Sequence, residues 1–330
     1  MNEFTSTRSN HLIDPVLHAW GWEVPIYLFL GGMVAGIMLL SGWMALRRQA
    51  GRASGASSDV PSRALSLLPW ASPVLISIGM MFLWLDLENG FNAIRFYFVF
   101  QPGSPMSWGS WILLGIYPAS ILMAWALSPA ELRERWLERL SFVPALDRIG
   151  GWALEHARFL AAANIVMGVA LGVYTGVLLG SMAARPLWNS AILGPLFLVS
   201  GISTGVAFLL LYRLGDGERV FLGKLDMSLI TVELLLIALW MIGLATGGAT
   251  SRGALWALFG GPYTAAFWTL VIALGLLTPL IGEWIELRHG AIPGRLPAIL
   301  VLVGGFSLRW ILVYAGQFTS WAGNVTAALH

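Results

Sequence analysis

The sequence predicts an all-α membrane protein of eight transmembrane helices, with both termini on the outer, periplasmic side. Three observations carry that fold class: eight long apolar stretches, a charged fraction of only 11% beside 57% apolar residues, and an alternation in where the basic residues fall. The stretches are Val24–Leu46, Leu67–Asp86, Met106–Leu127, Ala157–Gly180, Trp188–Tyr212, Asp226–Thr246, Ala265–Gly282 and Pro297–Gln317. Each approaches or exceeds the ~20 residues that cross a hydrocarbon core about 30 Å thick. So little charge is about half that of a soluble domain.

The basic residues set the orientation. The gap after the first stretch holds Arg47, Arg48, Arg52 and Arg63; the gap after the third holds Arg133, Arg135, Arg139, Arg148 and Arg158. Arg213, Arg219 and Lys224 follow the fifth, and Arg288 and Arg295 the seventh. The intervening gaps carry one each, Arg95, Arg185 and Arg252. By the positive-inside rule the four basic loops are cytoplasmic. The expected location is the bacterial inner membrane, crossed many times, with the lipid bilayer as the first partner.

Taken in order, the first helix starts outside with Glu23 and Tyr27 and carries a GxxxG pair, Gly32 and Gly36. A Gly/Ser-rich insertion, Arg47–Ser66, leads to the second helix, which ends outside at Asp86. The outer loop Glu88–Pro105 follows, and the third helix opens with Ser107 and Trp108. The second polar insertion, Ser128–His156, contains ELRERWLERL, whose charge spacing suits a short helix lying on the membrane surface. The fourth helix sets Gly168, Gly172, Gly176 and Gly180 on one smooth stripe and carries Asn164 and Tyr174. Gly201 and Gly205 repeat the GxxxG spacing in the fifth helix, each pair following a Leu-Phe-Leu triplet, which hints at a repeat of four helices plus four. Glu233, Glu283 and Arg309 belong to the sixth, seventh and eighth helices. Trp20, Trp22, Trp188 and Trp321 stand where an interfacial aromatic belt is expected. No signal peptide is expected, because Met1–Trp22 is polar and the first apolar run is too long for one.

Composition also excludes. A net charge of +2 spread over topology-setting loops gives no case for nucleic acid, and a protein with no cysteine can neither ligate an iron–sulfur cluster through thiolates nor form a disulfide. The five histidines, His11, His18, His156, His289 and His330, fall in tails, loops or at a helix end. No intramembrane pair is available for haem b, and a metal site has no support. Electrons handled by this protein would pass to a cofactor on another polypeptide.

Ionisable groups within a bilayer are expensive and therefore informative. Topology brings Glu23, Tyr27, Asp86, Tyr174 and Trp108 to one depth at the outer surface. That combination suits a quinone or hydroquinone. A phenol or carboxylate bonds a ring oxygen, a carboxylate (Asp86 or Glu23) takes the proton released on oxidation, and apolar helices hold the isoprenoid tail. Glu233 and Arg309 form either a structural salt bridge or a second, proton-conducting path. The rival class is a secondary transporter or a proton-translocating subunit without its own quinone site. Against the transporter stands the gathering of polar groups at the outer rim and not at the midplane.

The segments WEVPIYLFLGGMVAGIMLL (Trp22–Leu40), FLWLDLENGFNAIRFY (Phe82–Tyr97), SPMSWGSWIL (Ser104–Leu113) and VYTGVLLGSMAARPLWNSAILGPLFLVSGISTG (Val173–Gly205) resemble the NrfD/PsrC family of integral membrane subunits of respiratory oxidoreductases. ITVELLL around Glu233 and LRWILVYAGQ (Leu308–Gln317) resemble it more loosely. The resemblance implies two four-helix bundles, residues 1–186 with the quinone site and 187–330 without. It implies menaquinone or ubiquinone as the redox partner molecule, a ferredoxin-like iron–sulfur subunit on the periplasmic face, and often a molybdopterin catalytic subunit beyond it. The family's quinone-contacting tyrosine matches Tyr174 and its acidic LDL residue matches Asp86. Tyr27 stands where some members have histidine, and ENG (Glu88–Gly90) replaces the usual GRP, so the second ring-oxygen ligand and the outer loop depart from the pattern.

Overall fold

The structure, a computed structural model, describes residues 20–53, 63–87, 95–139, 145–182, 185–290 and 294–319. Among them all regular structure is helical. Eight helices are long and apolar enough to span a membrane: α1 Glu23–Ala50, α2 Leu65–Asp86, α3 Pro105–Leu127, α4 Ala157–Gly180, α5 Leu193–Leu210, α6 Asp216–Thr246, α7 Thr264–Arg288 and α8 Arg295–Phe318. They coincide with the eight apolar runs of the sequence. The chain is thus a multi-pass membrane protein. The tails with His11, His18, Trp321 and His330, the middle of the Gly/Ser-rich insertion and the ENG segment lie outside the described residues.

Two boundaries differ from the sequence reading, each for a local reason. α6 starts at Asp216, well before the apolar run that opens at Asp226. Its first turns are polar but well capped: Glu218 Oε2 accepts the Gly215 N–H at 3.0 Å, and Asp216 and Glu218 complement the helix dipole. Asp226 therefore lies inside the helix, not at its mouth. α5 starts at Leu193, and Trp188 occupies the turn before it. Trp188 is buried, not interfacial. Its indole N–H donates to Leu312 O at 2.7 Å and its ring stacks on Trp20 at 5.3 Å, so it locks the end of α8 away from the basic loops, here called the outer end, to the segment entering α1. Trp22, 48% exposed, keeps the place expected of a belt residue.

α1 lies along α2, α4 and α5, α4 along α3 and α5, and α5 along α6 and α8, while α8 also packs on α7. The expected division near residue 186 thus falls between two helices in contact. Enclosure separates the helices: 78% of the α1 span and 72% of the α5 span are buried, against 28% for α6 and α7. α1 crosses α5 closely, and there the two GxxxG pairs meet face to face. A side chain on Gly36 would overlap the Gly201 carbonyl, and one on Gly201 would come within 2.7 Å of Gly32 O. In a bilayer such close packing replaces the hydrophobic drive that water would supply. Gly168 and Gly176 of the α4 stripe do the same work against α1 and α5. Asn164 adds a polar tie, its amide donating to Met38 O at 3.0 Å and Ser41 Oγ at 2.8 Å.

On the basic-loop side, helices Ala130–Arg139 and Ala145–Glu155 join α3 to α4. The first is the surface helix expected from ELRERWLERL, and none of its side chains is buried.

Candidate functional site

At the outer end of α1–α4 the structure assembles most of the residues singled out from topology. The Gly21 N–H reaches Asp86 Oδ1 at 3.4 Å, and the Glu23 carboxylate lies against the same glycine. The carboxylates of α1 and α2 therefore face one another across the entry to α1, both partly exposed. One turn further in, Tyr27 is buried at 3% exposure, packed near Gly79 of α2 and within electrostatic reach of Tyr174 and Tyr97.

Tyr174 is 7% exposed, and its phenolic edge rests on Gly109 of α3, where any Cβ would overlap the ring. The SWGSW and YTG motifs, distant in sequence, thus meet at one atom-sized gap. Neither the Tyr27 nor the Tyr174 hydroxyl has a hydrogen-bond partner among the described residues. A phenol in or beside hydrocarbon needs one, so both hydroxyls are available to a bound polar atom.

Trp108 behaves differently. Its indole N–H donates to Pro102 O at 2.8 Å and it is 46% exposed. Its neighbour Ser107 accepts from the Gln101 N–H at 2.9 Å and donates to Val99 O at 3.3 Å. This pair pins the outer loop; Gly109, one residue on, is what meets Tyr174. Tyr97 and Tyr117 extend the phenol group and were not picked out from the sequence. Tyr97 sits on the short loop helix Arg95–Phe98, and burial, reinforced by Tyr117, pushes its phenol up, keeping it protonated. Tyr117 shares a 3.1 Å hydrogen bond with Ser77 of α2.

A second polar group lies buried among α5–α8, so the gathering of polar groups at the outer rim, read against a transporter, has a counterpart in the interior. Asp226, Glu283 and Arg309 are 0% exposed and Glu233 is 2% exposed. Arg309 and Glu233, read as either a structural salt bridge or a proton path, lie within electrostatic reach of one another, with no direct ion pair among the described residues. The guanidinium donates instead to Gly305 O at 2.8 Å, Ser200 Oγ at 3.1 Å and Phe197 O at 3.5 Å. It also lies over the Phe29 and Phe197 rings. Ser200 faces Glu233 as well, and so stands between the two charges. Ser203 Oγ donates to Asp226 Oδ1 at 2.7 Å, and Glu283 adjoins Asp226. Arg309 Nε finds no hydrogen-bond partner among the described residues, and the Asp226 and Glu283 carboxyls can bond only to one another when one of them carries a proton. Buried groups left this way are costly and call for a role. Asp226 escaped the sequence reading because it stood at the edge of an apolar run, where a charge looks terminal. Among the described residues no three His, Asp or Glu side chains gather as a metal ion would need.

Arg309 also touches the first group of helices. Its Nη2 lies where a Cβ on Gly32 would fall, at 2.6 Å, and Gly32 is about 7 Å along α1 from Tyr27. The outer phenols and the buried charges are therefore joined through one stretch of α1.

The family described as "Polysulphide reductase, NrfD" matches residues 10–320. Similar proteins include Protein NrfD of Escherichia coli (strain K12), 33% identical over 96% of this chain and 99% of that protein. One of the chains of the polysulfide reductase of Wolinella succinogenes is 30% identical over 90% of this chain and 94% of that protein. One of the subunits of the selenate reductase of Mesobacillus selenatarsenatis is 24% identical over 89% of this chain and 73% of that protein.

Proposed function

The chain belongs to the NrfD polysulphide reductase family, and we propose that it is the quinone- or quinol-binding membrane subunit of a multi-subunit respiratory oxidoreductase. In this reading its outer end is periplasmic, in the bacterial inner membrane, and electrons pass between the quinone pool and a ferredoxin-like iron–sulfur subunit docked there. A molybdopterin subunit would carry the terminal chemistry; the names of the polysulfide and selenate reductase relatives support that assignment.

One observation supports the site: the Tyr174 phenol of α4 is seated on Gly109 of α3, with Tyr27 of α1 within electrostatic reach. The fit to a quinone follows from donor chemistry. Two phenols from α1 and α4 can each hold a ring oxygen, and apolar helix faces flank them. Menaquinone and ubiquinone both meet these terms. Quinol oxidation releases two protons and two electrons. Asp86 and Glu23, partly exposed beside the phenols, are placed to take a proton and hand it to the aqueous side. An iron–sulfur cluster on the partner would accept the electrons. Reduction of quinone runs the same proton route backwards. Trp108 holds the loop over this end.

Tyr174→Phe keeps the ring and removes only the hydroxyl. Losing one such hydrogen bond costs roughly 0.5–1.5 kcal/mol when neutral and up to about 3 if charge-assisted, a few-fold to about a hundredfold in affinity. Quinol-dependent turnover of the assembled complex should fall accordingly. Wild-type turnover in a normally assembled variant would move the site elsewhere.

A second reading is favoured by the buried carboxyl groups of α6 and α7. Glu283, Asp226, Glu233 and Arg309, with Ser203 and Ser200 between them, form a ladder from the basic-loop end towards α1. Such a ladder suits proton transfer coupled to the quinone site. The same buried groups keep a transporter in view. Redox difference spectra of the purified complex with and without quinone extraction separate the two classes, since a transporter gives no quinone-dependent change.

A further inference from the structure

Four helices surround the phenols, and three of the seams between them are tight. α1 lies on α4, where Gly42 leaves no room beside Ala161 O; α4 lies on α3 through Gly115 against Met167; and Gly79 of α2 rests against Tyr27 and Leu30 of α1. The seam between α2 and α3 is different. The Leu68–Trp70 turn at the basic-loop end of α2 packs on α3, and the Trp70 indole N–H donates to Ser128 Oγ at 2.9 Å. From Ala71 to Asp86 the span packs chiefly on α1 and meets α3 at few points.

One of those points is polar. About 13 Å down α2 from Asp86, the Ser77 and Tyr117 hydroxyls share their 3.1 Å hydrogen bond. Ser77 is exposed and Tyr117 half-buried, so the pair stands at the lipid-facing surface of the seam. Pro118, next to Tyr117, takes an N–H out of the α3 ladder, and helices bend at such places. Nearer the outer end the loop helix Arg95–Phe98 covers the seam. Phe100, just beyond it, meets Trp111 of α3 edge-on at 5.5 Å, and the contacts of Ser107 and Trp108 hold the same stretch to α3. Phe98, Val99 and Phe100 are exposed, whereas Tyr97 is half-buried. It lies within electrostatic reach of Tyr27 on α1 and of Tyr117 on α3. Tyr174, Tyr27, Tyr97 and Tyr117 therefore form one row, which starts at the proposed ring site and ends at the bilayer.

A row of rings with polar tips, ending at a loosely packed seam, suits a molecule with a polar head and a long apolar tail. Such a molecule arrives from the bilayer and keeps its tail there. On the quinone reading above, we infer that the isoprenoid tail of the bound quinone lies in the seam between α2 and α3, across the Ser77–Tyr117 pair, with Tyr97 closing over it. Ile78 and Met81 of α2 and Leu114 of α3, all exposed, are the apolar surface that the tail meets on its way out.

The test is photolabelling of the assembled complex in proteoliposomes with a quinone that carries a diazirine on the part of its tail nearest the ring, followed by peptide mapping. Label should fall on α2 around Ser77 and Met81 and on α3 around Leu114 and Tyr117, and excess unmodified quinone should remove it. Ser77→Trp fills the seam from an exposed position. It should lower kcat/KM about tenfold for a long-tailed quinol and less than about twofold for a tailless one. Val166→Trp, an enlargement on the exposed face of α4, should change neither. Competable label confined to other helices overturns the proposal and leaves the ring site in place. So does label that quinone cannot compete, which marks passing lipid contact, or wild-type turnover of the long-tailed quinol by Ser77→Trp. An equal loss with both quinols overturns it too, because the ring site is then what was disturbed. A wild-type complex that turns over neither quinol overturns the quinone reading and this proposal together.

Discussion

The outer end of α1–α4 and the interior of α5–α8 hold their ionisable groups in opposite ways. Glu23 and Asp86 keep contact with solvent, and the phenols beside them stand on glycine surfaces with hydroxyls unengaged by the described residues. Asp226, Glu233, Glu283 and Arg309 are sealed among helices, and two of those helices, α6 and α7, are otherwise the least enclosed of the eight. The carboxylates of Asp226, Glu233 and Glu283 thus turn away from lipid. At the outer end each group can act by itself because water compensates it. In the interior the groups depend on one another, so removing the one cation should be harsh, whereas a neutral isostere of a carboxyl group should be tolerated.

The largest effect expected follows from that contrast. Arg309→Met leaves Glu233 without its nearby cation; breaking such a buried charge set costs about 3–5 kcal/mol, and little assembled complex should be recovered. Its counterpart at the rim, Asp86→Asn, should assemble at wild-type yield. Equal yields of the two variants would erase the distinction between the regions.

Next in size is Gly36→Leu. The α1–α5 crossing has no room for a side chain, and overpacking costs about 1–3 kcal/mol. The thermal midpoint of the detergent-purified protein should fall, and both regions should lose function together because α1 serves both. Loss in only one region would show that α1 does not couple them.

Gly109→Ala sharpens the outer side. It removes no polar group, yet its methyl must push the Tyr174 ring aside. Quinol turnover should drop at least as far as in Tyr174→Phe, with stability nearly unchanged. For Asp86→Asn the signature is in the pH profile. A base works only when ionised, so wild-type turnover rises with pH as the carboxylate deprotonates, and the amide should abolish that rising limb.

The smallest stability effect belongs to Glu283→Gln. An amide of the same shape can donate to Asp226 as the protonated carboxyl does, so the midpoint should hold. Proton uptake linked to turnover in proteoliposomes should fall if the ladder conducts; unchanged uptake removes the ladder from proton transfer.

Much of this was legible in the sequence, and the misses have causes. The eight spans were readable because a hydrocarbon core demands continuous apolar runs. The level of Glu23, Tyr27, Asp86 and Tyr174 followed from helix direction alone. The paired GxxxG motifs were readable as packing surfaces, but that they pack on each other is a property of the fold. Asp226 was hidden by an α6 that continues through a polar, capped first section. Trp188 was misplaced because an aromatic at the start of an apolar run looks interfacial, whereas its N–H is spent on Leu312 O. Ser200 and Ser203 carry no signal by themselves; only the register of α5 against α6 and α8 gives them charged neighbours. Gly109 lay in a noticed motif, yet its task depends on Tyr174 arriving from α4.

The central claim is that quinone binds among the phenols at the outer end and not among the buried carboxylates. Photo-crosslinking with an azidoquinone, followed by peptide mapping of the assembled complex, tests it most directly. Label should fall on the segments of α3 and α4 around Gly109 and Tyr174, and excess quinone should compete it away. Competable label concentrated on α6 and α7 around Glu233 and Glu283, with α3 and α4 clean, would contradict the account.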